Sequence, residues 1–289
     1  MSVKQRTLKS EFSLNGKGLH TGKHVTATFK PAEENFGYRI RRMDLEGTPE
    51  IPALAEYVKL MDRASCLEKD GVCVFTMEHA MAALYGCGID NCLIELSGEE
   101  FPILDGSAKY YVEEIEKVGL EEQNAERRYF TVKEQMEFCS EDGLTKITLL
   151  PDSEYNVNLV VAYDSPYLQM QYATYSDKTT DFAKEIAPCR TFVFLREVEM
   201  LLQHNLIKGG DLENAIVIVD REILQKEADR LAKLFNYDSI EIKQGILNNL
   251  IMSRLVINCW ISSVIWLCAG VSLKDVLSRK DPDIKQIQP

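Results

Sequence analysis

The chain has 289 residues, 45% hydrophobic and 27% charged, a composition typical of a globular protein long enough for one or two domains. A net charge of −12 argues against a general nucleic-acid binder and against adhesion to an anionic membrane, while leaving room for a local basic pocket. The eight cysteines include no Cys-x-x-Cys pair, so neither a disulfide scaffold nor a zinc ribbon is indicated and a reducing cytoplasm is expected.

The first residues lack the apolar core of a signal peptide. Leu8–Leu14 and Val25–Phe29 alternate as strands do, joined by the Gly16–Gly22 loop that carries Leu19 and His20. His24 reads as surface. Tyr38–Arg42 continues the sheet with its basic side chains on a solvated face, and Ile51–Val58 and Val72–Phe75 are further short strands. Between them, Met61–Leu67 gives no reason to assign Asp62 or Cys66 a role. Met77–Tyr85 is almost entirely good helix former, with Thr76 placed as an N-cap and Gly86 and Gly88 as stops. Glu78 and His79 then fall in the first turn. The helix dipole disfavours a cation there, so His79 is expected to be neutral, the form that binds metal. On this pattern alone His79 reads either as a hydrogen-bonded core residue or as a ligand. Asn91–Leu96 reads as a buried strand, and Asp105-Gly106-Ser107 as a turn and cap opening a helix that ends at Val118. Its apolar residues Ala108, Tyr111, Val112, Ile115 and Val118 repeat at helical spacing, and Gly119 closes it.

Glu121–Arg128 is polar and aperiodic, which places a domain boundary there: an N-terminal α+β domain over 1–122 and a C-terminal one over 123–250. In the second half Ile147–Leu150, Val157–Tyr163 and Ala215–Val219 read as strands, and Pro188–Phe194 as strand or loop. Helices are predicted over Arg196–Asn205, with Val198 and Leu201 on one side, and over Glu222–Phe235. His204 suits the end of the first of these as a structural residue. Lys208-Gly209-Gly210-Asp211 is a turn.

Five motifs come in order: Gly-Lys-Gly-Leu-His-Thr-Gly at 16–22, Thr-Met-Glu-His at 76–79, Gly-Ile-Asp-Asn at 88–91, Phe-Pro-Ile-Leu-Asp-Gly-Ser-Ala at 101–108 and Arg-Thr-Phe at 190–192. From about Thr7 to Val219 the sequence resembles the zinc-dependent UDP-3-O-acyl-N-acetylglucosamine deacetylases of lipid A synthesis, a Gram-negative pathway. The resemblance implies two similar α+β domains, each a sheet with two helices, the helices sandwiched between the sheets and the site at the junction. It implies a cytoplasmic enzyme acting on a UDP-linked acylated glucosamine with zinc as cofactor, and in some relatives a fused dehydratase. It makes His79 a zinc ligand, Glu78 the general base and Thr191 the donor to the oxyanion. Neighbours on a helix point about 100° apart, so one can hold metal while the other reaches the attacking water. Leu19, His20 and Gly210 would contact substrate. Phe192, Phe194, Val198 and Leu201 read either as an acyl-chain passage or as core.

The family also needs a His and an Asp four residues apart on one late helix and a further His, and this sequence has no His after His204. The stretch 255–271 is apolar, yet it is at the short limit for a membrane span and is interrupted by Asn258, Ser262 and Ser263, so no stable span is expected. Codon arithmetic offers another account. If each codon takes the third base of one printed residue and two bases of the next, the sequence from Ile251 permits Asn-Glu-Ser-Ala-Arg-His-Lys-Leu-Leu-Asp-Leu. The His spans Val256 and Ile257, and the Asp is forced at Trp260 and Ile261. Lys280–Ile287 permits Arg-Pro-Gly-His-Lys-Thr-Asn in the same frame. Residues 251–289 are therefore expected to be an out-of-frame tail that removes zinc ligands and impairs the enzyme. The competing reading is a non-catalytic binding protein of the same fold, ending in an apolar helix.

Overall fold

The largest sheet forms where β-branched and aromatic residues alternate with polar ones. In the computed structural model, which describes residues 3–240 except 62–63, 130, 164, 166–169, 205–206, 220–221 and 236, the first half runs as follows. It comprises β1 Lys4–Leu8, β2 Phe12–Lys17, β3 His24–Pro31, β4 Tyr38–Arg42, β5 Glu50–Pro52, β6 Val58–Met61, β7 Ala64–Lys69, β8 Val72–Phe75, α1 Glu78–Gly86, β9 Cys92–Leu96, α2 Lys109–Val118 and β10 Leu120–Glu126. Five strands make one sheet in the order β2-β3-β9-β4-β5, antiparallel except where β4 runs parallel to β9. Val25, Ala27 and Phe29 of β3 all point to one buried face, as the two-residue period demands. Phe29 stacks on Phe12 at 4.7 Å and meets Tyr111 of α2 edge-on at 5.7 Å. The α2 stripe is the one its spacing predicts, with Tyr111, Val112 and Ile115 buried.

The second half comprises β11 Met136–Cys139, β12 Lys146–Leu149, β13 Asn156–Val161, β14 Gln171–Ser176, β15 Phe192–Phe194, α3 Leu195–Gln203, β16 Ile216–Ile218 and α4 Gln225–Leu234. Among the described residues its strands form pairs: antiparallel β11-β12 and β13-β14, and parallel β15-β16. The fold is α+β, with two α-helices in each half among the described residues. The inward residues of the β13-β14 pair, Val157, Leu159, Ala173 and Tyr175, join the apolar core of the first half. Tyr155 connects Tyr85 of α1 to Tyr175 through edge-on ring contacts at 5.9 and 6.1 Å. Both α1 and α2 belong to that core, and α1 meets the second half through Tyr85. No helix among the described residues is long and apolar enough to cross a membrane.

Four local expectations change. Leu8–Leu14 is two strands with a turn between them. Ile51–Val58 is β5, a 3-10 turn at Ala55–Tyr57 and the start of β6. Met61–Leu67, read as lying between strands, begins at the end of β6 and continues in β7, with Asp62 outside the described residues. Cys66 is buried there, which pushes its thiol up to about 11 and leaves it unreactive. The polar stretch expected as a linker is strand β10, paired antiparallel with β1 (Leu8↔Leu120, Lys4↔Glu126), so the boundary at 122/123 falls inside a strand. Its apolar signal is weak because the ribbon is solvated, with exposed Glu121 and Glu122. The tail expected to be out of frame lies outside the described residues.

Candidate active site

Helix α1 does not begin with a side-chain cap. Thr76 adopts φ +58°, an unusual state for a β-branched residue, and Met77 takes the N-cap position with no side-chain hydrogen bond. The Thr76 hydroxyl donates instead to Glu100 Oε1 at 3.0 Å. This reversal delivers Glu78 and His79 into the first turn, His79 buried and Glu78 half-buried with its Oε2 enclosed. Burial pushes the Glu78 carboxyl up to about 7, against the pull of its own backbone hydrogen bond. One of its oxygens, Oε2, is buried without a hydrogen-bond partner among the described residues. Burial also pushes His79 down to about 4, with Asp105 pulling weakly the other way. His79 is neutral as expected, although desolvation rather than the helix dipole is the main cause.

Asp105 lies in a turn that its own carboxylate builds, Oδ1 accepting from Ser107 N at 3.1 Å and Ser107 Oγ at 2.8 Å. Gly106 follows with φ +78°, and a Cβ there would stand 2.0 Å from the Asn214 carbonyl oxygen, so both conformation and space require glycine. The Arg-Thr-Phe segment docks on this turn. Arg190 Nε donates to Asp105 O at 2.6 Å, its Nη2 donates to Glu213 O, and Thr191 N donates to Gly106 O at 2.7 Å. Thr191 O in turn accepts from Ile216 N at 2.9 Å, which fixes the start of β15 beside β16. Thr191 is thus held on the turn that carries Asp105, the carboxylate whose charge bears on His79.

The glycine-rich loop at 18–22 is the third part. Gly18 N donates to Lys23 O, Gly22 N to Gly18 O, and Glu100 accepts from the amides of His20 and Thr21. Leu19 and His20 are half-buried and carry the 207–210 turn: Gly209 N donates to Leu19 O at 3.0 Å and Lys208 N to His20 O at 3.3 Å. Gly210 closes that turn on Ile207 O.

The apolar candidates separate. Phe192 and Phe194 meet each other and Tyr163 edge-on, with centroids 5.6–5.9 Å apart, in a small cluster with Ile216 and Ile218. Val198 packs in a different cluster with Leu195, Val217 and Leu231, the core alternative for that residue, and Leu201 is also buried. His204 Nδ1 lies 2.8 Å from Met200 O, a local contact at its own helix end. Among the described residues no three of His, Cys, Asp and Glu converge as a metal site would require. His79 fits zinc as one neutral donor, and the other donors are not supplied by the described residues.

Glu100 lies outside the five motifs, and Asp105 and Arg190 lie inside them with no positioning role legible in the sequence. Nothing local distinguishes buried Glu100 from Glu99, which is a surface partner of Lys23 at 3.0 Å.

The family model described as UDP-3-O-acyl N-acetylglycosamine deacetylase matches residues 5–235. The chain is 51% identical over 248 residues to the bifunctional enzyme LpxC/FabZ of Bacteroides thetaiotaomicron, covering 86% of this chain and 54% of that protein. It is 49% identical over 247 residues to the protein of the same name from Porphyromonas gingivalis, covering 85% of this chain and 53% of that one. It is 38% identical over 280 residues to the UDP-3-O-acyl-N-acetylglucosamine deacetylase of Marinobacter nauticus, covering 96% of this chain and 90% of that protein. The chain therefore spans about half the length of the bifunctional relatives it matches.

Proposed function

Since the chain belongs to the UDP-3-O-acyl N-acetylglycosamine deacetylase family, we propose that its site hydrolyses the N-acetyl group of a UDP-linked, 3-O-acylated glucosamine in the cytoplasm, with zinc as the metal. The observation that carries this reading is the Glu78-His79 pair, whose enclosed Glu78 Oε2 has no hydrogen-bond partner among the described residues, with Asp105, whose charge bears on His79, in the turn on which Thr191 is docked. When bound, zinc supplies Lewis acidity to an amide carbonyl and eases deprotonation of water.

His79 would hold the metal through its neutral ring. Glu78 takes a proton from the attacking water at Oε2 and returns it to the departing amine nitrogen. Thr191 donates from the start of β15 to the oxygen that gains charge as the carbonyl becomes tetrahedral. Leu19, His20 and Gly210 contact the sugar nucleotide from the loop and turn that meet at the mouth. Phe192, Phe194 and Leu201 border the acyl chain, whereas the packing of Val198 favours a core role for it.

The reading includes two finer claims. The printed residues after 250 are out of frame, so this chain lacks its remaining ligands and is impaired. A dehydratase follows in the intact gene, as the name of the Bacteroides and Porphyromonas relatives suggests.

The frame claim and the activity are tested together. The chain as printed and a version with the shifted frame restored from codon 251 are assayed for zinc content and for deacetylation of the UDP-linked substrate. Restoration is expected to give stoichiometric zinc and chelator-sensitive activity, with the printed chain poor in both. A restored chain without zinc, or a printed chain fully active, would overturn the reading.

A further inference from the structure

Glu100 is a carboxylate that the chemistry above does not use. It is 1% exposed and follows the turn Ser97-Gly98-Glu99 at the end of β9. Taking an ionised carboxylate out of water is costly unless hydrogen bonds replace the lost hydration. Here four do. Oε1 accepts from His20 N at 2.8 Å and Thr76 Oγ1 at 3.0 Å. Oε2 accepts from Thr21 N at 2.9 Å and Thr21 Oγ1 at 2.7 Å. No lysine or arginine pairs with it among the described residues. Its donors instead belong to two segments far apart in the chain, the 18–22 loop and the residue that turns into α1.

Two further observations show that the backbone is shaped around this side chain. A Cβ on Gly18 would stand 2.2 Å from Glu100 Oε2, so the loop lies directly against the carboxylate. On the other side, Phe75 N donates to Glu99 O and Phe101 N to Phe75 O, both at 3.1 Å, which hold the approach to Thr76 alongside Glu100. The φ of +58° at Thr76 is then sustained by the bond its hydroxyl makes to Glu100. The loop passes the constraint onward: a Cβ on Gly209 would stand 2.1 Å from Gly18 O, so the 207–210 turn of the second half sits on the surface that Glu100 supports.

We propose that Glu100 is a positioning residue whose carboxylate locks the His20 loop to the Thr76 turn, and so sets His20, the 207–210 turn and the Glu78-His79 helix start in one fixed relation. The proposal rests on the functional reading only for the meaning of that relation. The linkage itself is physical and is measured without catalysis.

The test is backbone amide exchange on the full chain, read segment by segment, for Glu100→Gln, Thr76→Val, Thr76→Ser and the double variant Glu100→Gln/Thr76→Val. Loss of a hydrogen bond to a charged group in a locally opening segment is expected to raise exchange roughly tenfold or more. Thr76→Val never touches the loop, yet it should speed exchange in 18–22 and 207–210 as Glu100→Gln does, while 92–96 of β9 keeps the parental rate. Thr76→Ser, which keeps the hydroxyl, should restore parental exchange, and the double variant should be no faster than Glu100→Gln alone. A silent Thr76→Val overturns the proposal. So does equal acceleration in 92–96, because the whole fold has then loosened. Should Glu100→Gln fail to fold, the Thr76→Val and Thr76→Ser pair still decides. Absence of deacetylation in every version of the chain sinks the functional reading and leaves this linkage to stand or fall on exchange alone.

Discussion

The two halves bury their residues in different ways. The first half supplies most of the largest core, around Phe29, Ile40, Met81, Leu84, Ile94 and Tyr111. The second half adds Tyr175, Phe182 and Ile186 to that core, keeps smaller clusters around Val198 and Phe194, and leaves large apolar side chains outside, with Leu144 86%, Met170 70% and Tyr172 63% exposed. The contrast shows where the rigidity of the site originates. Glu78 and His79 stand on the half that dominates the core, and the second half meets it through Tyr155 and Phe182 as well as through loop contacts at Asp105, Gly106 and Gly209.

The sharpest way to break this asymmetry is at the centre of the first core. Phe29→Ala should cost about 3–5 kcal/mol in urea unfolding, because the ring touches both Phe12 and Tyr111 and its removal leaves a cavity. A loss below about 1 kcal/mol would mean that the first half does not dominate the core.

The seal between the halves is read at Phe182. A Cβ on Gly86 would stand 2.3 Å from that ring, so Gly86→Ala should destabilise by about 1–3 kcal/mol through overpacking alone, since Gly86 is helical. Phe182→Ala should cost about 3 kcal/mol, and the double variant no more than Phe182→Ala. Additive losses would show that the two do not meet.

A pH experiment on the chelator-treated chain sharpens the picture at the site. His79, held near 4 against an ordinary 6.5, contributes stability that is complete above about 6.5 and is lost as pH falls toward 4. Glu78, held near 7 against 4.5, contributes stability that is complete below about 4.5 and is lost as pH rises toward 7. Between pH 4.5 and 6.5 the two slopes oppose each other. Glu78→Gln should therefore unmask the His79 slope, and its stability relative to the parent should rise with pH by up to about 3 kcal/mol. A difference curve that stays flat would place Glu78 in contact with water.

The smallest effect belongs to the exposed face. Val160 and Tyr172 are cross-strand partners, and Tyr172→Ala should cost less than about 1 kcal/mol by thermal unfolding.

Elements with a local signal were legible. The α2 stripe, the alternation of β3 and the turn at Lys208–Asp211 follow from periods and turn residues that a short window contains. What was illegible depends on distant partners. Glu121 and Glu122 form a strand because β1, more than a hundred residues earlier, supplies the ladder. Thr76 looks like an N-cap by residue type, yet Glu100, 24 positions away, draws its hydroxyl elsewhere. At the site, Glu78, His79 and Thr191 were legible only as parts of ordered motifs. Their neighbours were less legible: Glu100 lies outside the motifs, and Arg190 lies inside one with nothing in a short window to show that it reaches Asp105 and Glu213.

The ribbon of β1 and β10 sets the first and last strands of one half side by side, with Lys4 opposite Glu126. A unit whose entry and exit coincide can be cut and rejoined elsewhere without rethreading. Linking those two ends and opening the exposed hairpin at Gly71, where nothing lies within 4 Å of an added Cβ, would give a circularly permuted order with the same sheet.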